Sequence, residues 1–143
     1  MNEIRVLIYE NSDVKKRVRG TEKRSKREMD NRLIDLDELM EIMDHDQVLV
    51  KECFNDFIND SGIMLKKIKD AIGQENRELL EKTAHALKGS LRYLAANPAS
   101  DMAFTLEKIG MNGHMGEACD AYEALAEECR QLIEWMQQYK FSD

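Results

Sequence analysis

The chain is predicted to fold as an all-α domain: an antiparallel four-helix bundle with an additional short N-terminal helix packed at one end. Three observations lead there. One proline and seven glycines in 143 residues, beside abundant Ala, Leu, Met, Glu and Lys, favour helix almost throughout. From Leu33 onward apolar residues recur at spacings of three and four, the period of a half-buried helix. The periodic segments are long and joined by short turns, which suits antiparallel neighbours. A chain of this length can bury a core without disulfides or a metal.

In chain order, IRVLIY (4–9) reads as a short strand, but the stretch after it is charged and aperiodic, so residues 1–31 are read as a tail or linker and 32–143 as the helical domain. LDELMEIMDHD (36–46) sets Leu36, Leu39, Met40 and Met43 on one face, with Asp35 as N-cap and Glu38 completing a capping box. A longer helix over 47–72 carries Phe54, Phe57, Ile58, Leu65, Ile68 and Ile72, with Ser61 in the gap and Gly73 as its C-terminal stop. The third helix is expected over 75–96. Asn97 then caps a fourth, with Pro98 at its first position and its end near Ile109. GMNGHMG (110–116) reads as a glycine-rich turn. The fifth helix, 116–138, lines up Ala118, Ala121, Tyr122, Leu125, Cys129, Leu132 and Met136.

Composition excludes several function classes. No run reaches the roughly 18 apolar residues of a membrane span, and the start lacks the order of a signal peptide, so a cytoplasmic protein without membrane insertion is expected. Cys53, Cys119 and Cys129 have no metal-ligand spacing and read as free thiols in a reducing compartment. The net charge of −7 divides into +3 over residues 1–30 (nine Lys/Arg, six Asp/Glu) and −10 over the remainder (twelve against 22). An acidic body argues against nucleic acid as partner, because phosphate binding takes a basic footprint. The basic stretch 15–27 reads as a solvated linker. No GxxxxGK[ST] loop or kinase glycine pattern is present, so phosphorylation from ATP is not expected.

One histidine stands out. On a wheel of 100° per residue centred on His85, the residues Glu78, Glu81, Lys82, Lys88, Gly89 and Arg92 fall within about 60°. Leu80, Leu87, Leu91 and Leu94 lie at least about 120° away. His85 is therefore on the solvent face rather than in the core, and the wheel alone leaves an idle surface histidine open. Its neighbours form H-x-x-K-G-S in TAHALKGS (83–90). A neutral imidazole is a nucleophile near neutral pH. Lys88, one turn on, can neutralise charge on a transferring phosphoryl group. As a solvent-face residue its replacement by Ala should move stability by no more than about 0.5 kcal/mol. Gly89 costs about 1 kcal/mol in a helix interior relative to Ala, and its bare backbone leaves room for close approach. His45 and His114, in turns, lack Lys and Gly at these offsets.

AHALKGS, some way after the opening helices, resembles the phosphorylation motif of the histidine-containing phosphotransfer (HPt) family, and the likeness extends over roughly 34–138. The resemblance implies that His85 is a phosphoryl acceptor, with Lys88 and Gly89 as motif partners and Lys82, Gly89 and Arg92 on a docking surface. The implied partner is a response-regulator receiver domain or hybrid histidine kinase. No cofactor is implied in the chain itself: the receiver supplies the aspartate and Mg²⁺, making the chain half of a composite site and a monomer by itself. The family places a polar residue near the histidine on the next helix, and Glu107 occupies that position, either accepting the second imidazole N–H or standing as an ordinary surface glutamate. Ser90, Leu91 and Ala95 depart from the family's small residues and second glycine, which points to altered packing. A helical adaptor that docks a receiver or kinase without phosphate chemistry is the alternative.

Overall fold

The computed structural model describes residues 32–141. The strand read at 4–9, the basic stretch 15–27 and the 1–31 tail lie outside the described residues. Within them the regular elements are all helical: α1 (Leu36–Ile42), α2 (Gln47–Gly73), α3 (Arg77–Tyr93), α4 (Asn97–Asn112), a 3₁₀ turn at Met115–Glu117, and α5 (Ala118–Gln138). Their packing is consistent with a bundle. α2 lies against α3 and α5, α4 lies against the same two helices, and α3 with α4 is the most extensive pairing.

Local signals explain most helix starts. Asp35 accepts from the Glu38 backbone N–H at 3.1 Å, and Asp46 accepts from Val48 and Leu49 at 3.0 and 3.1 Å, satisfying donors that a helix leaves unpaired. The reciprocal half of the expected capping box does not form. The Asp35 N–H donates instead to the Ala95 carbonyl at 3.0 Å, and Glu38 Oε1 accepts from the Asn97 amide at 2.9 Å. Both bonds tie the start of α1 to the α3–α4 turn.

Four expected boundaries are corrected. Gly73 is the last helical residue of α2, not its stop; the left-handed residue is Glu75, at φ 53°. α3 starts at Arg77, capped by Asn76 on Leu79 at 3.1 Å, and ends at Tyr93 rather than near 96. The chain reverses through Ala95, left-handed at φ 56°. Asn97 does not cap α4; Ala96 holds that place without a side-chain bond, and Asn97 and Pro98 open the helix. Finally, α4 continues through Gly110 to Asn112 and stops at Gly113, whose φ of 81° suits a residue without Cβ. Gly110 is helical because its bareness serves packing. A Cβ there would come within 2.8 Å of the Glu81 nitrogen and 2.9 Å of the Arg77 carbonyl oxygen.

The core gathers one stripe from each helix. Leu39, Met43, Val50, Ile68, Leu80, Leu87, Leu91, Leu106 and Leu125 are fully buried, with Phe54 and Leu132 nearly so; each large side chain contributes about 1.5–3 kcal/mol of transfer free energy. On α2, Phe54, Phe57, Ser61 and Ile68 are buried as the period predicts, but Ile58, Leu65 and Ile72 are only partly covered, and Val50 and Ala71 complete the seam. Phe54 also meets Trp135, Tyr139 and Phe141 at ring centroid distances of 5.9 to 6.0 Å, closing the end of α5 over α2. Arg32 pairs with the buried Glu128 at 3.3 Å and donates to Gln131 at 2.6 Å, anchoring the start of the described chain on α5. No described helix is long and apolar enough to cross a membrane.

Candidate functional site

The site is set by how closely α3 and α4 approach. The α4 face toward α3 is lined with small side chains, Ala99, Ser100, Ala103 and Gly110, all buried. Contact of Gly110 with the α3 backbone at Arg77 and Glu81 fixes one end. The Ser100 hydroxyl donates to the Lys88 carbonyl at 3.3 Å at the other. Arg77 adds hydrogen bonds to the carbonyls of Gly110 and Met111 at 3.4 and 3.1 Å, satisfying acceptors at the α4 C-terminus. The two helices therefore run antiparallel, and their register brings Glu107 opposite His85.

His85 lies where the wheel predicts, on the outer side of α3, with 66% of its side chain exposed. Its Nδ1 is 2.9 Å from Glu107 Oε2. A carboxylate only accepts, so Nδ1 carries the hydrogen and donates, and in the neutral ring Nε2 has the lone pair. The alternative in which Glu107 is an ordinary surface residue does not hold, because only 10% of its side chain is exposed.

Lys88 is a correction. The wheel places it free on the solvent face, but its side chain is 21% exposed and its Nζ lies 2.8 Å from Glu107 Oε1. The contact is an ion pair at hydrogen-bonding distance. The ammonium also sits 4.6 Å from the centre of the Phe104 ring, which Lys108 approaches at 4.7 Å. The aliphatic stem can lie along this aromatic neighbour on α4 while the head stays charged. Phe104 and Lys108 were missed from sequence; the usable signal was F-x-x-E-K, which places both on one α4 face with Glu107.

Burial pushes the Glu107 carboxyl up, but the contacts from Lys88 and His85 outweigh it and hold the group below the ordinary carboxylate value. Glu107 is thus an anion shared between an imidazole and an ammonium.

The remaining expected residues lie around this centre. Lys82 and Arg92 are exposed. Lys82 reaches Glu78 at 3.4 Å between two largely exposed side chains, a contact of little energetic weight. Gly89 is exposed, and a Cβ added there would meet nothing within 4 Å. Neither packing nor backbone conformation calls for glycine at 89, in contrast with Gly110. Of the departures, Ser90 is exposed and Leu91 is buried, while Ala95 is buried in the core and also holds the left-handed turn position, a conformation that strains a residue with a Cβ. His45 and His114 are exposed in turns. Among the described residues no three His, Cys, Asp or Glu side chains gather as a metal site.

The arrangement offers an accessible imidazole nitrogen with a fixed lone pair, a cation one turn away, and open space beside it. It suits transfer of a small charged group from a bulky partner. A family model described as Hpt domain matches residues 52–135. No curated protein and no solved structure matches the chain.

Proposed function

The chain belongs to the Hpt domain family, whose members carry phosphoryl groups in two-component systems, and from that premise we propose that His85 accepts a phosphoryl group from a receiver-domain aspartate and passes one on. The observation that carries the reading is the pairing of an exposed imidazole with a buried carboxylate at 2.9 Å, which leaves Nε2 as the nucleophile. In transfer the Nε2 lone pair attacks phosphorus in line. The N–P bond forms as the P–O bond to the aspartate breaks, and the aspartate leaves as a carboxylate. Such transfer is mostly positioning and charge neutralisation. Lys88 supplies a cation: Glu107 takes one side of its ammonium, and the other N–H groups are available to the phosphoryl oxygens. Gly89 lets the partner's loops come close, and Lys82 and Arg92 offer positive charge to a receiver surface that is acidic around its aspartate and Mg²⁺.

On this reading the chain is half of a composite site. The metal belongs to the receiver, the chain has no ATP chemistry of its own, and it acts as a cytoplasmic monomer. The four long helices form the antiparallel bundle on which the site is carried. The test is label transfer. A phosphorylated receiver with Mg²⁺ should pass its phosphate to the chain, giving an acid-labile and alkali-stable product, and His85→Gln should abolish it. Label persisting in that variant, or receiver binding with no transfer to the wild type, would overturn the proposal.

A further inference from the structure

We infer that Glu107 is the counter-ion that keeps the Nδ1 proton on phosphorylated His85, holding the phosphoryl group on a ring able to release it. The inference rests on His85 being the phosphoryl acceptor, and goes beyond orientation of the ring.

Acceptance and release make different demands on one proton. When a neutral imidazole with hydrogen on Nδ1 attacks through Nε2, no proton moves. The product ring carries phosphorus on one nitrogen and hydrogen on the other, and is therefore cationic. Release is the reverse: the P–N bond breaks, its electron pair returns to Nε2, and the leaving group is neutral imidazole. If the Nδ1 proton escapes to solvent first, the leaving group becomes an imidazolide anion, and the phosphoryl group is stranded. Donation thus depends on a proton that acceptance never has to move.

Glu107 is built to retain it. Its Oε2 lies 2.9 Å from Nδ1, and the carboxylate side of the pair is shielded, with 10% of the Glu107 side chain exposed against 66% of that of His85. An anion at this distance favours the charged ring. An amide at the same position would keep the hydrogen bond and lose this effect. Lys88 lies 2.8 Å from Oε1 and is one of the two contacts that hold the Glu107 carboxyl below its ordinary value. It also withdraws part of the carboxylate's field, and so sets how strongly the proton is held.

The other charged groups near the ring do not duplicate this contact. On α3, Glu81, Lys82 and Lys88 lie within one turn of His85 and Arg92 two turns on. On α4, Lys108 is drawn to Phe104. On α2, Asp56 and Asp60 share a groove with Ser90 and Tyr93, beyond the ring.

The experiment uses the full chain with ¹⁵N-labelled histidine, phosphorylated with phosphoramidate. Combined ³¹P and ¹⁵N NMR identifies the phosphorylated nitrogen and follows the Nδ1 proton, while the dephosphorylation rate is measured from acid to alkaline pH. Phosphate should be found on Nε2. In Glu107→Gln the Nδ1 proton and the lability should both be lost at a pH about one unit lower than in wild type. In Lys88→Met both should persist to higher pH. Opposite shifts cannot both arise from a loosened site, so a partly destabilised variant does not blur the result. Phosphate on Nδ1, or phosphorylation on Nε2 with the same pH dependence in all three proteins, would overturn the inference while leaving His85 as acceptor. If neither phosphoramidate nor phosphorylated receivers label His85, the acceptor reading itself fails, and this inference with it.

Discussion

Replacing glycine by alanine should have opposite consequences at two positions on the facing helices α3 and α4. In a helix interior the change is intrinsically worth about 1 kcal/mol in favour of Ala. At Gly89 nothing lies within 4 Å of the added Cβ, so the full gain of up to about 1 kcal/mol is expected. At Gly110 the Cβ would fall 2.8 Å from the Glu81 nitrogen, 2.9 Å from the Arg77 oxygen and 3.1 Å from the Glu81 Cα. Ordinary contact between such atoms begins near about 3.5 Å, and all three belong to backbone, which cannot swing aside. The helices must separate by about 0.7 Å to restore that contact, or bend. Overpacking costs about 1–3 kcal/mol, and the rigid neighbours argue for the upper end, leaving a net loss of about 2 kcal/mol at Gly110. At about 4–5 °C per kcal/mol for a domain just above 100 residues, thermal unfolding followed by circular dichroism should place Gly89→Ala a few degrees above wild type. Gly110→Ala should fall roughly 10 °C below. The same displacement should reach the site, since Glu107 lies one turn before Gly110 and Glu81 one turn before His85. Gly110→Ala should therefore also weaken the Nδ1–Oε2 bond and slow receiver-dependent labelling. A Gly110→Ala protein as stable as wild type would refute the close α3–α4 contact. A destabilised Gly89→Ala would show that the face around His85 is covered by another part of the chain.

The ion pairs make further outcomes testable. Lys88→Ala should cost about 2 kcal/mol at neutral pH, not the small amount expected of a surface lysine, because it leaves a buried carboxylate with one partner fewer. The Glu107 carboxyl is held below its ordinary value of 4.5, so its contribution to stability is present above that pH and lost as pH falls through the folded-state value. Denaturant unfolding should therefore show wild type and Lys88→Ala converging in acid; a constant gap would mean that the loss does not come from the carboxylate. A chain beginning at Asn31 should keep a cooperative melt near the wild-type temperature, whereas Arg32→Ala should lose about 1–2 kcal/mol by unpairing the buried Glu128. Collapse of the shortened protein would show that residues 1–30 belong to the fold.

The sequence by itself determined what depends on one helix at a time. Helix number and the buried faces come from the spacing of Leu80, Leu87 and Leu91 and their counterparts, because a 3.6-residue period assigns every side chain an angle before any partner is known. The exposure of His85 was legible for the same reason. Boundaries were less legible where residues with two uses compete. Gly73 and Gly110 both looked like breakers, yet the left-handed residues that follow α2, α3 and α4 are Glu75, Ala95 and Gly113. Only the tertiary structure decided the state of the site. That Glu107 is buried, that it touches His85 Nδ1, and that Lys88 is drawn off the surface onto Glu107 and Phe104 are facts about two helices together. They depend on the register and separation of α3 and α4, set by Gly110 against the Arg77 and Glu81 backbone. A shift of one residue, about 1.5 Å along the axis and 100° around it, would leave each helix's own pattern intact and still carry the carboxylate away from the imidazole.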